Sequence, residues 1–210
     1  MMRKSLSLLI LAAAFSTAAY GQSARKVLDT TAARLTKQGG VMAKFKATQF
    51  DGTTPQSESS GSIQMDGKRF FIATDEILTW FDGKTQWSMM TGSHEVNITE
   101  PDEDDLVEIN PAILVNIYKR GFNYSMSKST LRGRATFVVH LWPRYKGSDY
   151  SDIFIDIDQA TYNPLCIRAK RDGNWIRLAI HSFQNGFVLP PATFTFPKQD
   201  YPNVEVIDLR

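Results

Sequence analysis

The residues that could carry out covalent chemistry are few, and their surroundings do not suit a catalytic site. Ser125 and Lys128 match the S-x-x-K pattern of serine acyl enzymes. That pattern needs a helix start and companion SDN and KTG elements. Here the pair lies in FNYSMSKS, which alternates like a strand, and both companions are missing. We therefore expect no catalytic residue and a protein that is not an enzyme.

Metal-binding spacings are equally lacking. The sequence has three histidines, and none stands in an H-E-x-x-H motif or at i,i+4 spacing from another ligand type. The acidic run at 100–105 lacks the spacing and glycine of an EF-hand loop. It suits a helix N-terminus, where carboxylates favour the positive end of the helix dipole. We predict no metal and no cofactor.

The first 21 residues have the pattern of a secretory signal peptide. Arg3 and Lys4 precede an apolar stretch over 6–14, and small residues at 19 and 21 suit cleavage before Gln22. No cysteine follows that stretch to carry a lipid anchor. We expect residues 22–210 to form one exported, soluble, unanchored domain in the periplasm. The single Cys166 allows no internal disulfide.

The charge balance gives no reason to expect nucleic acid as a partner. The chain has 24 basic and 22 acidic residues, and the predicted signal peptide removes Arg3 and Lys4 but no acid. The mature chain therefore carries 24 − 2 = 22 basic residues against 22 acidic ones. A neutral chain offers little attraction to a phosphate backbone.

Two segments have helical patterns. Residues 23–38 repeat apolar side chains at helical spacing, from Val27 to Leu35, and end at Gly39-Gly40. A second helix is predicted to start at Asn110-Pro111 and to end near Gly121. Its apolar face carries the following residues: Ile113, Leu114, Ile117 and Tyr118.

Most of the remaining chain is predicted to form antiparallel strands. Asp-Gly turn pairs recur at 51–52, 66–67, 82–83 and 172–173, each beside alternating sequence. Around 172–173 the turn pairs Arg171 with Asn174, and the flanking strands carry isoleucine and leucine on one face. On the strand at 152–158 the outward Asp156 and Asp158 are expected to meet basic residues on neighbouring strands.

The segment TWFDGKTQWSMM, residues 79–90, is unusually apolar for a hairpin. A two-residue turn at Asp82-Gly83 predicts that Phe81 pairs with Lys84, and that Leu78 lies opposite Trp87. One face then carries Leu78, Trp80, Thr85, Trp87 and Met89. This apolar face exceeds what the few predicted helices cover. Either the sheet curls on itself or a ligand fills the remainder.

The order of these features resembles the LolA-like outer-membrane lipoprotein carriers of the periplasm. The resemblance rests on the N-terminal helix before VMAKFKATQF, the Gly61-Ser62-Ile63 strand, DEILTWFDGKTQWSMM, NPAILVNIY, and the closing FTFPKQDYPNVEVIDLR. It implies a mainly β (α+β) fold, in which a curved open antiparallel sheet forms a half-barrel covered by a few lid helices. An apolar cavity is expected between sheet and lid.

The resemblance also implies a function and a set of site residues. Such carriers accept acylated lipoproteins from an inner-membrane ABC-type exporter and deliver them to the outer membrane, to an acceptor where one exists. We expect a monomer. The acyl chains are predicted to contact the following residues of the sheet and lid: Leu78, Trp80, Trp87, Met89, Ile113, Leu114 and Ile117. Family members often lock the lid with an arginine followed by proline; this chain has MDGKRFF there, and Arg69 is the candidate.

Two alternatives stay open at this point. A sensing module on the same half-barrel would bind lipid or a mislocalised lipoprotein and regulate a membrane partner. A serine hydrolase using Ser125 and Lys128 is the less favoured one. Delivery of bound cargo separates a carrier from a sensor.

Overall fold

The computed structural model describes residues 24–36, 39–102, 105–106, 116–119 and 121–210. One helix, α1, spans residues 24–36. The twelve strands are β1 (Gly40–Asp51), β2 (Thr54–Asp66), β3 (Arg69–Thr74), β4 (Ile77–Phe81), β5 (Gln86–Met90), β6 (Glu95–Thr99), β7 (Phe122–Leu131), β8 (Arg134–Pro143), β9 (Tyr150–Asp158), β10 (Pro164–Arg171), β11 (Asn174–Phe187) and β12 (Glu205–Asp208). Short 3-10 turns occupy Ile117–Lys119, Pro191–Phe194 and Lys198–Asp200.

All twelve strands join one curved, open sheet. Its order is β12-β6-β5-β4-β3-β2-β1-β11-β10-β9-β8-β7, so β12 and β7 form the two edges. The pairs are antiparallel except for β12, which runs parallel to β6. The prediction of a mainly β half-barrel with few helices is therefore confirmed.

One face of the sheet, called here the inner face, packs against α1. The apolar side of α1 is fully buried there, with Leu28 at 0% and Leu35 at 4% exposure. The predicted helix at 23–38 is confirmed, and its apolar repeat serves to cover the sheet. The inner face contributes the following buried residues: Val41, Ala43, Phe45, Ile63, Met65, Phe70, Ile72, Phe81, Val139, Leu141, Ile153, Ile155, Ile157, Ile167, Ala169 and Ile180.

The opposite, outer face carries a second and separate apolar cluster. It consists of Trp80, Met89, Val96 and Phe196, with Phe71, Leu78, Trp87, Tyr201 and Val204 packed around them. The C-terminal segment 190–204 supplies the cover on this side. Because side chains alternate along a strand, neighbours such as Phe70 and Phe71 belong to different cores.

The hairpin register predicted at Asp82-Gly83 is wrong by two residues. Phe81 pairs with Gln86, and Trp80 lies opposite Trp87. The turn is longer because one carboxylate oxygen of Asp82 accepts hydrogen bonds from the amides of Lys84 (2.9 Å) and Thr85 (2.8 Å). Such a side-chain turn replaces the two-residue turn. A shift of two preserves side-chain direction, so the predicted set on one face survives.

The predictions for the 172–173 hairpin and its acidic neighbours are confirmed. Arg171 pairs with Asn174. Asp156 lies 3.2 Å from Arg168 Nη2 on the adjacent strand, and Asp158 lies 3.2 Å from Arg134 Nε. These pairs secure the outer face of β8–β10 beneath the buried inner face.

Most of the second predicted helix lies outside the described residues, including Ile113 and Leu114. Its final turn is described as the 3-10 turn Ile117–Lys119, with Ile117 and Tyr118 buried against the inner face. No helix within the described ranges is long and apolar enough to cross a membrane.

Candidate functional site

The candidate site is the apolar space between α1 and the inner face of the sheet. A cavity of about 30 Å³ lies there. It is lined by Leu35 of α1 and by residues of four strands: Ala43, Phe45, Ile63, Met65, Pro164, Ile167, Leu178, Ile180 and Phe183. Every lining side chain is apolar, so the cavity offers contact to hydrocarbon and no hydrogen bond from a side chain.

Strand alternation explains why the cavity forms at this place. Ile63 lies opposite Ala43, and Phe45 lies opposite Gly61. A side chain at Gly61 would approach the Phe45 ring to 2.8 Å, so the ring passes over bare backbone. The small residues at 43 and 61 thus leave room that larger side chains would fill.

The cavity is closed and small in this structure. A volume of about 30 Å³ corresponds to roughly one water molecule. A fatty acyl chain therefore requires α1 to move away from the sheet, which exposes the inner face as a continuous apolar surface. The arrangement is a latent site whose cover is one short helix.

One polar atom on α1 is left without a partner inside this space. Thr31 is completely buried, and its hydroxyl makes no hydrogen bond. An unsatisfied buried hydroxyl costs ~1–3 kcal/mol. Thr31 therefore weakens the seal between α1 and the sheet.

The structure places the predicted sheet residues on the other face. Trp80 and Met89 belong to the outer cluster, with Leu78 and Trp87 packed against it. The Trp80 ring contacts Phe196 at 5.4 Å and Tyr201 at 6.3 Å between centroids. These four residues point away from α1 and cannot share its cavity. Sequence alternation grouped them correctly but left open which side of the sheet they face.

Of the predicted lid residues, Ile117 is brought to the inner face. It is 6% exposed and belongs to the same cluster as α1. Ile113 and Leu114 lie outside the described residues. Ile117 and the four sheet residues therefore lie on opposite sides of the sheet.

Arg69, the predicted lid-locking residue, also points to the outer face. Its guanidinium pairs with Asp66 at 2.5 Å and lies 4.9 Å from the centre of the Phe194 ring. Both contacts hold the C-terminal segment and the β2–β3 turn. This geometry differs from the prediction, because α1 packs on the inner face.

The candidate hydrolase pair is separated by the sheet. Ser125 and Lys128 are three residues apart on β7, so they face opposite sides. Ser125 lies opposite His140, whose Nε2 is 2.9 Å from Asp152 Oδ1. Among the described residues no hydrogen bond joins Ser125 to His140. The imidazole instead stacks on Phe154 at 4.2 Å between ring centres.

Sequence reasoning missed the residues that line the cavity. Leu178 and Phe183 of β11 lie beside β1 only because the last long strand inserts between β1 and β10. The alternating VMAKFKATQF pattern identified Ala43 and Phe45 as one face, and that was the available signal. The neighbour across the sheet was not readable from local sequence.

Comparison with known structures supports the same fold. A DUF1329 family protein from Desulfovibrio piger is 10% identical, and the match covers 84% of this chain and 98% of that chain with a TM-score of 0.50. A LolA superfamily protein from Nitrosomonas europaea is 10% identical over 82% of this chain and 97% of that chain, with a TM-score of 0.44. The Pseudomonas aeruginosa MucA/MucB complex contains a chain that is 16% identical, with 82% and 60% coverage and a TM-score of 0.45.

Sequence comparison identifies the family. A search of curated proteins finds no match. The model of the family described as outer membrane lipoprotein carrier protein LolA matches residues 14–174, which is most of the chain. That match agrees with the open sheet and its single described covering helix. The chain belongs to the LolA family of outer membrane lipoprotein carrier proteins.

Proposed function

We propose that this protein binds the acyl chains of lipoproteins between α1 and the inner face, and carries them through the periplasm from the inner to the outer membrane. The observation that carries the proposal is the wholly apolar cavity beneath α1. It is the point where the cover and the sheet are least tightly packed. Membership of the LolA family supports the same role.

The energetics of acylated cargo explain why such a cover is needed. Each buried methylene contributes ~0.8 kcal/mol, so one chain holds a protein on a membrane only marginally and two hold it firmly. A multiply acylated lipoprotein cannot cross an aqueous space unaided. A carrier must offer an apolar surface of comparable quality and must also release its cargo.

Exchange of α1 for an acyl chain meets both requirements. Burial of each leucine or valine of α1 contributes ~1.5–3 kcal/mol, and this stabilisation is lost when the helix leaves. The acyl chain replaces those contacts on the inner face. The net affinity is therefore a difference between two similar terms, which keeps binding reversible. The partially buried Leu178 and the flexible Met65 suit a surface that repacks.

The partners of this cycle follow from the same proposal. The donor is an inner-membrane ABC-type exporter, and the recipient is the outer membrane, through an acceptor where one exists. Leu78, Trp80, Trp87 and Met89 are assigned to anchoring the C-terminal segment instead of contacting cargo. The proposed acyl contacts are Leu35, Phe45, Ile63, Leu178, Phe183 and Ile117.

A matched pair of substitutions on β11 tests the binding site. Leu178→Gln places an amide in the cavity wall, and burying an unpartnered amide costs ~1–3 kcal/mol, or roughly tenfold or more in affinity. Ile176→Gln is the control, because Ile176 shares the strand and face but is 36% exposed and lies outside the cavity lining. We expect weaker binding of a palmitoylated peptide only in Leu178→Gln. Equal affinity in both variants would remove the cavity from the proposal.

Carriage, as distinct from binding alone, is tested by transfer. The purified complex with a triacylated lipoprotein is mixed with outer-membrane vesicles, and lipoprotein is measured in the vesicle fraction. A carrier passes its cargo to the vesicles. Cargo that stays bound would favour a sensing role.

A further inference from the structure

A second pocket, of about 260 Å³, opens at the N-terminal end of α1. It is lined by Arg25, Tyr118, Lys119, Gly121, Tyr124 and Arg144. Three of these six residues are cationic, and they come from three different elements: α1, the 3-10 turn and the end of β8. The pocket is polar where the cavity beneath the other end of α1 is apolar.

The positive charge of this pocket is only partly neutralised. Asp29 accepts a hydrogen bond from the Tyr118 hydroxyl and lies 3.8 Å from Arg25 Nε. Lys119 Nζ donates to Asn116 Oδ1 at 3.1 Å, which leaves its charge unpaired. Within the described part of the chain the Arg144 guanidinium forms no ion pair. Three cations against one carboxylate leave an excess of two positive charges.

Tyr118 separates this charged pocket from the apolar interior. Burial and the hydrogen bond to Asp29 raise the pKa of Tyr118, so its side chain adds no negative charge. The ring is 5% exposed and packs within the inner cluster beside α1. Tyr124 stands at right angles to it, with 6.2 Å between ring centres. The pocket therefore adjoins the space in which an acyl chain is proposed to lie.

The two pockets are separated by the length of α1. Arg25 lines the charged pocket, and Leu35 lines the apolar cavity ten residues later. A helix rises 1.5 Å per residue, so these residues are about 15 Å apart along the axis. An amphiphile with its head at Arg25 would direct its tail beneath α1 toward Leu35.

We propose that this pocket binds the phosphate of a phospholipid whose acyl chain occupies the interior, which makes phospholipid a second cargo class. The inference rests on the proposed acyl binding site, because the tail must lie beneath α1. Guanidinium groups offer paired N–H donors that match phosphate oxygens, and Lys119 adds a point charge. Free phosphate shares this chemistry, so the test separates the two sources.

The test compares two probes with the same palmitoyl chain. Lysophosphatidylglycerol carries a phosphate, and monopalmitoylglycerol does not. Calorimetric titrations below micelle formation use the mature full-length chain, the K119Q/R144Q variant, and K128Q as a control cation on the exposed part of β7. We expect the wild type and K128Q to bind the phosphate probe about tenfold tighter than the neutral one. K119Q/R144Q should lose this preference while binding the neutral probe unchanged.

Each contrary outcome has a distinct meaning. Equal binding of both probes by the wild type would overturn the phosphate site and leave the acyl site standing. Binding of neither probe would overturn the acyl site and the phospholipid proposal together. Inorganic phosphate alone is titrated in parallel. Arg144-dependent phosphate binding without preference for the phospholipid probe would overturn the headgroup proposal in favour of a free-anion site.

Discussion

The indole of Trp80 lies 5.4 Å from the ring of Phe196, with the two ring planes at 75°. This edge-to-face contact joins the middle of β4 to the C-terminal segment on the outer face. Trp80 is 4% exposed, and Tyr201 packs against both rings. The contact therefore closes a core of its own, remote from α1, and gives the Trp80 hairpin a structural role.

Truncation of this contact should reduce stability without changing acyl affinity. Trp80→Ala is expected to cost ~3–5 kcal/mol of unfolding free energy, because it removes a large buried side chain. Phe196→Ala should cost a comparable amount. A double-mutant cycle in urea should give a coupling of ~0.5–1.5 kcal/mol. A folded Trp80→Ala protein that has lost acyl binding would return Trp80 to the binding site.

Arg69 provides a direct test of the lid-lock prediction. Arg69→Ala removes the ion pair with Asp66 and the cation–π contact with Phe194, which should lower stability by ~0.5–1 kcal/mol. Proteolysis should become faster within the C-terminal segment. Release of a palmitoylated peptide should keep its wild-type rate. A faster release rate would show that Arg69 acts on the cover of the cavity after all.

Asp158 should make the β9–β10 turn sensitive to acid. Burial alone would raise the pKa of its carboxyl, but hydrogen bonds from the amides of Thr161 and Ala160, with Arg134, outweigh burial and lower it. Since the folded pKa is depressed, the carboxylate stabilises the fold above the unfolded value of about 3.9. That stabilisation is lost as the pH falls through the folded pKa.

The corresponding substitution is Asp158→Asn. At pH 7 we expect it to lower the unfolding free energy by ~1–3 kcal/mol, since it weakens charge-assisted hydrogen bonds. Urea titrations should show the difference from wild type shrinking below about pH 4. Arg134→Gln isolates the ion pair and should have a smaller effect, because Arg134 is largely exposed. A difference independent of pH would contradict this assignment.

Thr31 should couple stability to ligand affinity. Thr31→Val removes the orphan hydroxyl at nearly constant shape and helix propensity, so we expect an unfolding free energy higher by ~1 kcal/mol. Because α1 then seals the cavity more tightly, acyl affinity should fall several-fold. Thr30→Val is the control, since Thr30 is less buried and its hydroxyl donates to the Lys26 carbonyl. Unchanged affinity in a stabilised Thr31→Val protein would mean that α1 does not leave the sheet on binding.

Local periodicity carried the prediction of elements a long way. The apolar repeat from Val27 to Leu35 predicted α1, and alternation with Asp-Gly turns predicted the meander. The turn at 172–173 gave the exact register, because both turn residues have positive φ, at 49° and 84°. At 82–83 the same dipeptide misled, because the Asp82 side chain captured two amides and lengthened the turn.

The candidate site could not be located from alternation alone. A sheet with two apolar faces assigns Phe70 and Phe71 to different cores, and only the covering segments decide which face is which. Those covers are α1 on one side and Phe196 with Tyr201 on the other, both distant in sequence from the hairpin. The predicted face was internally consistent but was placed on the wrong side of the sheet.

Photo-crosslinking with a diazirine-bearing palmitic acid tests the central claim most directly. After irradiation of the mature chain, labelled peptides are located by mass spectrometry. We predict labels on α1 near Leu35 and on inner-face strands near Phe45, Ile63 and Leu178. Labelling confined to the outer cluster around Trp87, or uniform labelling of the surface, would contradict acyl binding beneath α1.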